Sequence, residues 1–253
     1  MGWDGMGWDS IGGFTRVVYA DEINREGLGE LPINTPNARY LIAVSGIPGS
    51  GKTTLAATIT KRLNALQTNH SNKTSLPPIA GFIPMDGYHL TRAQLSAMPD
   101  PAHAHARRGA ASHSTVHHSS HLSRRSVNLL PPPPSQSTHP SFDHALKDPK
   151  ENDIPIEPTT KILVFEGNYL SLDKEPWRSA AAKLMDQLWF VEVDFEVAKR
   201  RLIPRHVKAG IAKDETEAEK RVVENDLVNG EDIVRDRMTV HEIIVSTDDE
   251  AWK

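Results

Sequence analysis

The feature that most constrains this chain is a glycine-rich segment from Gly46 to Thr53, which reads Gly-Ile-Pro-Gly-Ser-Gly-Lys-Thr. It matches the pattern G-x-x-x-x-G-K-[ST] in full, the loop in which backbone N–H groups surround phosphate oxygens. Residues 40–44 form an apolar run typical of a buried parallel strand. After the loop, apolar residues recur every three or four positions, as in a helix with one buried face, at Leu55, Ile59, Leu63 and Leu66. A chance glycine turn would lack these flanks, so the segment predicts a nucleoside-triphosphate site.

The loop residues also predict how the triphosphate is held. Backbone N–H groups and the N-terminus of the following helix offer positive partial charge to the phosphates. Lys52 is expected to reach the outer phosphates, and the Thr53 hydroxyl is expected to bind Mg²⁺. The residues predicted to contact the nucleotide here are Gly46, Pro48, Gly49, Ser50, Gly51, Lys52, Thr53 and Thr54.

Strand and helix patterns alternate along the rest of the chain. Apolar runs predict strands at 79–85, 162–165, 188–193 and 241–245, and charged periodic stretches predict helices at 196–208 and 214–225. Pro204 is expected to kink or end the first of these helices. Such alternation predicts a parallel sheet covered on both faces, with ligands at the C-terminal ends of its strands.

Two carboxylates follow predicted strands at that edge. Asp86 is positioned to accept the proton of a hydroxyl that attacks the γ-phosphate, although an Asp beside Gly87 is also a common turn residue. Glu166 is positioned to orient Mg²⁺ or to hold a substrate, the alternative being a helix N-cap region. Three arginines near Pro204 supply candidate lid residues, namely Arg200, Arg201 and Arg205.

Composition narrows the class of protein. A net charge of −4 disfavours a general nucleic-acid binder, and the absence of cysteine excludes disulfides. No apolar run approaches the length of a membrane span, so a soluble cytoplasmic protein is expected. Residues 1–38 are glycine-rich and read as a flexible leader. Residues 111–139 are rich in Ser, His and Pro, without a carboxylate, and predict a disordered interruption of the domain.

An ordered series of motifs follows the loop, at residues 85–90, 107–110, 141–149, 165–170, 175–178, 205–207, 224–227 and 229–230. Together with the loop, these motifs resemble the P-loop kinases of the uridine kinase, phosphoribulokinase and pantothenate kinase group. The resemblance is closest to the fungal nucleoside-kinase-like ATPase branch, and it spans about 40–110 and 140–247.

The resemblance implies a three-layer α/β/α P-loop fold, with a five-stranded parallel sheet and a small lid, over residues 39–253. It implies phosphorylation of a small-molecule hydroxyl by ATP with Mg²⁺, with Asp86 as general base, Arg205 in the lid and Asn229 near the adenine. Substrate contacts are implied for Tyr88, His89, Arg108, Asp143, His144, Asn168 and Tyr169. Because residues 111–139 replace a folded element of such kinases, we expect an open acceptor side and slow transfer.

Other functions fit parts of the pattern. An ATPase or regulatory nucleotide-binding protein needs the loop but no acceptor, and a non-catalytic binding protein would follow if the interrupted segment abolished transfer. A GTPase switch is disfavoured because the base-reading pattern Asn-Lys-x-Asp does not occur. Asp86 favours the kinase, since a base placed after a strand suits an attacking hydroxyl.

Overall fold

The computed structural model describes residues 10–11, 14–17, 39–71, 76–106, 137–143 and 145–247. Its strands are β1 Ser10–Ile11, β2 Phe14–Val17, β3 Tyr40–Gly46, β4 Ala80–Pro84, β5 Ser137–Asp143, β6 Asp148–Ile156, β7 Ile162–Glu166, β8 Gln187–Glu192 and β9 Glu242–Ser246. Its α-helices are α1 Lys52–Ser71, α2 Arg92–Ser96, α3 Pro101–Ala106, α4 Trp177–Leu184, α5 Phe195–Lys208, α6 Glu215–Arg221 and α7 Leu227–Arg235. A 3₁₀ turn covers Met85–Tyr88, and a π turn covers Val222–Asp226.

The main sheet has the order β1-β2-β9-β8-β3-β7-β4, and its five strands from β9 to β4 are parallel. The central strand β3 is buried along its whole length. Its neighbour β7 pairs Glu166 with Val44, and β4 pairs Pro84 with the same Glu166. The phosphate loop, Glu166 and the turn that carries Asp86 therefore leave the sheet at one edge, as the sequence predicted.

Helices cover both faces of this sheet. On one face, α1 packs Leu55, Ile59 and Leu63 against β3, β7 and β8, while Leu66 from the predicted stripe is 38% exposed. On the other face, Phe165 and Phe190 pack with residues of α4, α5 and α7. The predicted three-layer α/β/α architecture is confirmed.

The helix after β8 corrects one prediction. Asp194 caps α5 by accepting hydrogen bonds from the backbone N–H groups of Glu196 and Val197. The predicted helix at 196–208 is confirmed, and of the two effects expected of Pro204, a kink or an end, the end is excluded because the helix continues to Lys208. Buried Leu202 and His206 hold the helix to the core on both sides of the proline, and this packing outweighs the missing N–H. The predicted start at Asp214 is confirmed as an N-cap, but the helical path runs past Asn225 through the π turn into α7.

The described residues of the expected leader, 1–38, and of the expected interruption, 111–139, belong to strands. Within 1–38, β2 pairs antiparallel with β9 and extends the sheet edge, because the exposed edge of β9 offers unpaired backbone groups. At the end of 111–139, residues 137–139 begin β5, which forms a hairpin with β6. The rest of both segments lies outside the described residues. Within the described part, no helix is long and apolar enough to cross a membrane.

Candidate active site

The phosphate loop has a conformation that only glycine accommodates easily. Gly49 and Gly51 have φ angles of 80° and 90°. A Cβ atom on Gly49 would lie 2.8 Å from the carbonyl oxygen of Ala198, so the loop backbone rests directly on α5. The buried Ser50 hydroxyl has no hydrogen-bond partner among the described residues. This donor and the glycine cradle fit a phosphate group.

One of the three candidate arginines supports the loop from behind. Arg201 donates hydrogen bonds to the Gly49 carbonyl at 3.3 Å, to Ser246 Oγ at 3.0 Å and to the Thr247 carbonyl at 2.9 Å. It thereby ties the loop to the end of β9. These contacts occupy the guanidinium with structural bonds, which a role over the phosphates would have to break.

Lys52 and Glu166 form a buried pair at the start of α1 and the end of β7. Lys52 Nζ lies 3.7 Å from Glu166 Oε1 and 3.5 Å from the Ile47 carbonyl in the loop. Burial lowers the pKa of Lys52, although the carboxylates of Glu166 and Asp86 oppose this, and the positive charge of Arg205 lowers the pKa further. Burial likewise raises the pKa of Glu166 against the stabilising charge of Lys52. Three predicted site residues, Glu166, Asp86 and Arg205, are therefore close enough to act electrostatically on Lys52.

A hard-oxygen donor set adjoins this pair. Thr53, at the first turn of α1, is near enough to Glu166 to oppose the rise of its pKa, and a hydroxyl and a carboxylate are ligands that suit Mg²⁺. Within the part of the chain that the structure describes, no group of three or more His, Asp or Glu side chains forms a metal cage.

Asp86 occupies the 3₁₀ turn directly after β4. Its side chain is 58% exposed, and its backbone carbonyl accepts a hydrogen bond from His89 Nδ1 at 3.0 Å. The carboxylate thus faces solvent while its charge still influences Lys52 and Glu166. The turn geometry and the predicted base are compatible, because the turn presents the carboxylate at the sheet edge.

The hairpin β5–β6, which the sequence did not predict, covers this turn. A Cβ atom on Gly87 would lie 2.4 Å from the Pro140 carbonyl oxygen, so the two backbones are in direct contact. The Tyr88 hydroxyl donates to His139 Nδ1 at 2.6 Å, and His89 packs edge-on against Phe142 at 6.1 Å. The hairpin therefore packs directly on the turn that carries Asp86, whereas residues 111–136, where we expected a gap in the acceptor side, lie outside the described residues.

The remaining predicted substrate residues are distributed around a small cavity. His89, Asn168 and Tyr169 line it together with Asp86. Trp177 also lines it, stacks near Tyr169 at 5.6 Å, and has a buried indole N–H with no partner among the described residues. Sequence reasoning assigned Trp177 no role, although it lies in one of the motifs.

Two other predicted residues, Asp143 and Asn229, lie away from this cavity. The Asp143 carboxylate accepts hydrogen bonds from the backbone N–H groups of Ala145 and Leu146 and so caps the hairpin turn. Asn229 lies half-buried on α7, where its neighbour Gly230 packs near Ile47 of the loop. Arg108 and His144 lie outside the described residues.

Comparison with known proteins agrees with this geometry. The chain is 49% identical over 160 residues to the ATP-dependent kinase-like protein notR' of Aspergillus versicolor, covering 63% of this chain and 92% of that protein. It is 38% identical over 192 residues to "Putative uridine kinase C227.14" of Schizosaccharomyces pombe, covering 76% of each. The crystal structure of YFH7 from Saccharomyces cerevisiae matches with a TM-score of 0.71 at 22% identity, over 87% of this chain and 97% of that one. No family model matches the chain.

The fold and the loop define a P-loop kinase. The chain belongs to the P-loop kinase family that contains these fungal ATP-dependent kinase-like proteins. Membership of this family makes the chain an enzyme of kinase type.

Proposed function

We propose that this chain transfers the γ-phosphoryl group of ATP to a hydroxyl of a nucleoside or similar small metabolite, with Mg²⁺ as cofactor. The observation that carries the proposal is the position of Asp86. This carboxylate lines the cavity and also acts electrostatically on Lys52 and Glu166 beside the phosphate loop. A base that borders both the cavity and the phosphate site suits transfer between two bound molecules. The uridine kinase name of the Schizosaccharomyces pombe relative supports a nucleoside acceptor.

The proposed step is an in-line displacement at the γ-phosphorus. The acceptor hydroxyl oxygen forms a bond to phosphorus, the bond to the β,γ-bridging oxygen breaks, and ADP leaves with that electron pair. Asp86 accepts the hydroxyl proton as the oxygen attacks. Lys52 and the loop N–H groups stabilise negative charge on the phosphoryl oxygens, and Arg205 adds positive charge from the lid.

Thr53 and Glu166 are the residues that would hold Mg²⁺ on the phosphate side. When bound, the ion neutralises charge on the β- and γ-phosphates and orients them. The buried Lys52–Glu166 pair sets the position of the ammonium group at the phosphate side. The cytoplasmic location expected from the sequence remains a prediction.

The acceptor is tested by ADP release from MgATP, measured with and without a panel of nucleosides, sugars and pantothenate. We expect one class of acceptor to stimulate ADP release and to yield its phosphorylated product by mass spectrometry. ADP release that no acceptor stimulates would instead support the ATPase alternative. This measurement separates the two functions because only a kinase couples turnover to an acceptor.

The role of Asp86 is tested by Asp86→Asn, which preserves size and removes the base. We expect MgATP binding to be retained and transfer to fall by about a hundredfold or more. The matched control is Asp153→Asn, because Asp153 is a hairpin carboxylate whose partners are Lys150 and Ser141. Transfer near the original rate in Asp86→Asn would show that Asp86 is only a turn residue.

A further inference from the structure

A buried histidine–aspartate pair joins two elements of the lid side. His206 Nε2 and Asp226 Oδ2 lie 2.8 Å apart, and His206 is 4% exposed. His206 lies in the last turn of α5, directly after Arg205, whereas Asp226 is the last residue of the π turn. The histidine ring is thus placed to donate its Nε2–H to the carboxylate. Isolated π turns interrupt α-helices at functional sites more often than elsewhere, and Asp226 ends such a turn.

Both α5 and α7, the helix that follows the π turn, rest on the phosphate loop. On the α5 side, a Cβ atom on Gly49 would contact Ala198 at 2.8 Å and Leu202 at 3.1 Å. On the other side, α7 continues directly from the π turn, and a Cβ atom on its Gly230 would lie 3.4 Å from the Ile47 side chain in the loop. The pair therefore closes a ring that consists of the loop, α5, the π turn and α7. A change in the spacing between α5 and the π turn has to be taken up at this ring.

The position of Arg205 depends on this spacing between α5 and the π turn. Its side chain is exposed and makes no hydrogen bond or ion pair to another described residue, yet its charge acts on Lys52. A long side chain without a fixed partner is directed mainly by the backbone that carries it. A misplacement of about 1 Å at a group that stabilises a transition state costs up to about a hundredfold in rate.

We propose that the His206–Asp226 pair is a positioning device that holds the end of α5 against the π turn and so directs Arg205 toward the transferring phosphoryl group. His206 is a positioning residue and touches no substrate in this scheme. The inference rests on the proposed function, because it assigns the pair a role in the transfer step through Arg205. Two residues of α5 then have different roles, because Arg201 holds the phosphate loop and His206 directs Arg205.

The test is a double-mutant cycle that combines His206→Ala with Arg205→Ala, measured by ADP release from MgATP in the presence of the nucleoside, sugar or pantothenate that stimulates it most. We expect His206→Ala to lower kcat about tenfold or more while KM for ATP changes less than about twofold. In the Arg205→Ala background, His206→Ala should cause no further loss, because the residue it positions is gone. His206→Gln, whose amide Nε2 reproduces the donor, should recover most of the rate.

The matched control is Lys199→Met. Lys199 Nζ lies 2.7 Å from Glu219 Oε1, so this pair also joins α5 to a following helix, but one on the more exposed side. We expect kcat in Lys199→Met to equal that of the unmodified protein. If His206→Ala does not fold, Asp226→Asn enters the same cycle, because it weakens the pair from the other side without a cavity.

Two outcomes would overturn the proposal, and they are distinguishable. Equal fold-losses from His206→Ala with and without Arg205 would show that the pair acts on stability alone. Full turnover in Arg205→Ala would remove the assigned role of Arg205 in the proposed function, and this inference with it. An Arg205→Ala defect together with additive effects would leave the kinase proposal standing and overturn only the positioning role.

Discussion

His139 predicts a specific loss of stability in mild acid. The His139 side chain is 3% exposed and packs edge-on to Phe165. Its Nδ1 atom is hydrogen-bonded to the Tyr88 hydroxyl, at 2.6 Å. Burial, with a smaller contribution from the charge of Arg39, lowers the pKa of His139 from its ordinary 6.5 to about 4. Because His139 joins the hairpin to the turn that carries Asp86, its protonation acts on the packing of the hairpin against that turn.

The sign and size of the effect follow from the two pKa values. Between pH 6.5 and about 4, the unfolded chain binds a proton at His139 that the folded chain excludes. The contribution to the free energy of unfolding is complete above pH 6.5 and is lost as the pH falls toward 4. Since one pH unit of difference in pKa is worth about 1.4 kcal/mol, the full loss is about 3 kcal/mol, of which about 2 kcal/mol falls between pH 7 and pH 5.

The assay is urea unfolding at pH 7 and pH 5 for the unmodified protein and for His139→Gln. Glutamine still accepts a hydrogen bond from Tyr88 but does not titrate, and the other histidines are common to both proteins. We expect the unmodified protein to lose about 2 kcal/mol more than the variant between the two pH values. Losses that agree within about 0.5 kcal/mol would refute the reasoning, since additivity errors are of that size.

Three further variants test the site by direct measurement. Lys52→Met should abolish ADP release and weaken MgATP binding measured by calorimetry. The circular dichroism spectrum should be retained, because the raised pKa of Glu166 lets its carboxyl become neutral when the lysine is gone. Unchanged affinity and turnover would contradict the loop assignment. Gly49→Ala should lower MgATP affinity, because the new Cβ meets the Ala198 carbonyl at 2.8 Å and φ is 80°, and full affinity would show that the loop tolerates a side chain. Trp177→Phe removes an unpartnered buried N–H, so we expect the free energy of unfolding to fall by less than about 2 kcal/mol; a larger loss in urea unfolding would mean that the indole N–H has a partner.

The sequence predicted those parts of the site that depend on short stretches of chain. The loop, its buried strand and the helix after it were recognisable because glycine content, β-branched runs and helical spacing are local properties. The positions of Asp86 and Glu166 followed from a rule of topology, since parallel strands bring their C-terminal ends to one edge. Register then placed Glu166 beside Lys52, at 3.7 Å between Nζ and Oε1.

The hairpin was not recognisable from its sequence. The strands β5 and β6 contain Pro140, Pro149 and Pro155 and show no clear alternation of apolar residues, so they lack the usual signals of strands. The hairpin they form packs closely on the turn at Gly87, because a glycine there has no side chain to obstruct the Pro140 carbonyl. The continuation of α5 through Pro204 has a similar origin, since burial of Leu202 and His206 outweighs a local preference.

By itself, the sequence determined the fold class, the phosphate loop and the edge of the sheet where chemistry occurs. Only the tertiary structure decided which arginine holds the phosphate loop, which hairpin packs on the turn that carries Asp86, and which residue pairs with the buried His206. The physical reason is the range of the interactions. Propensity and periodicity act over a few residues, whereas the Tyr88–His139 and His206–Asp226 contacts join residues 51 and 20 positions apart, and only packing brings such groups together.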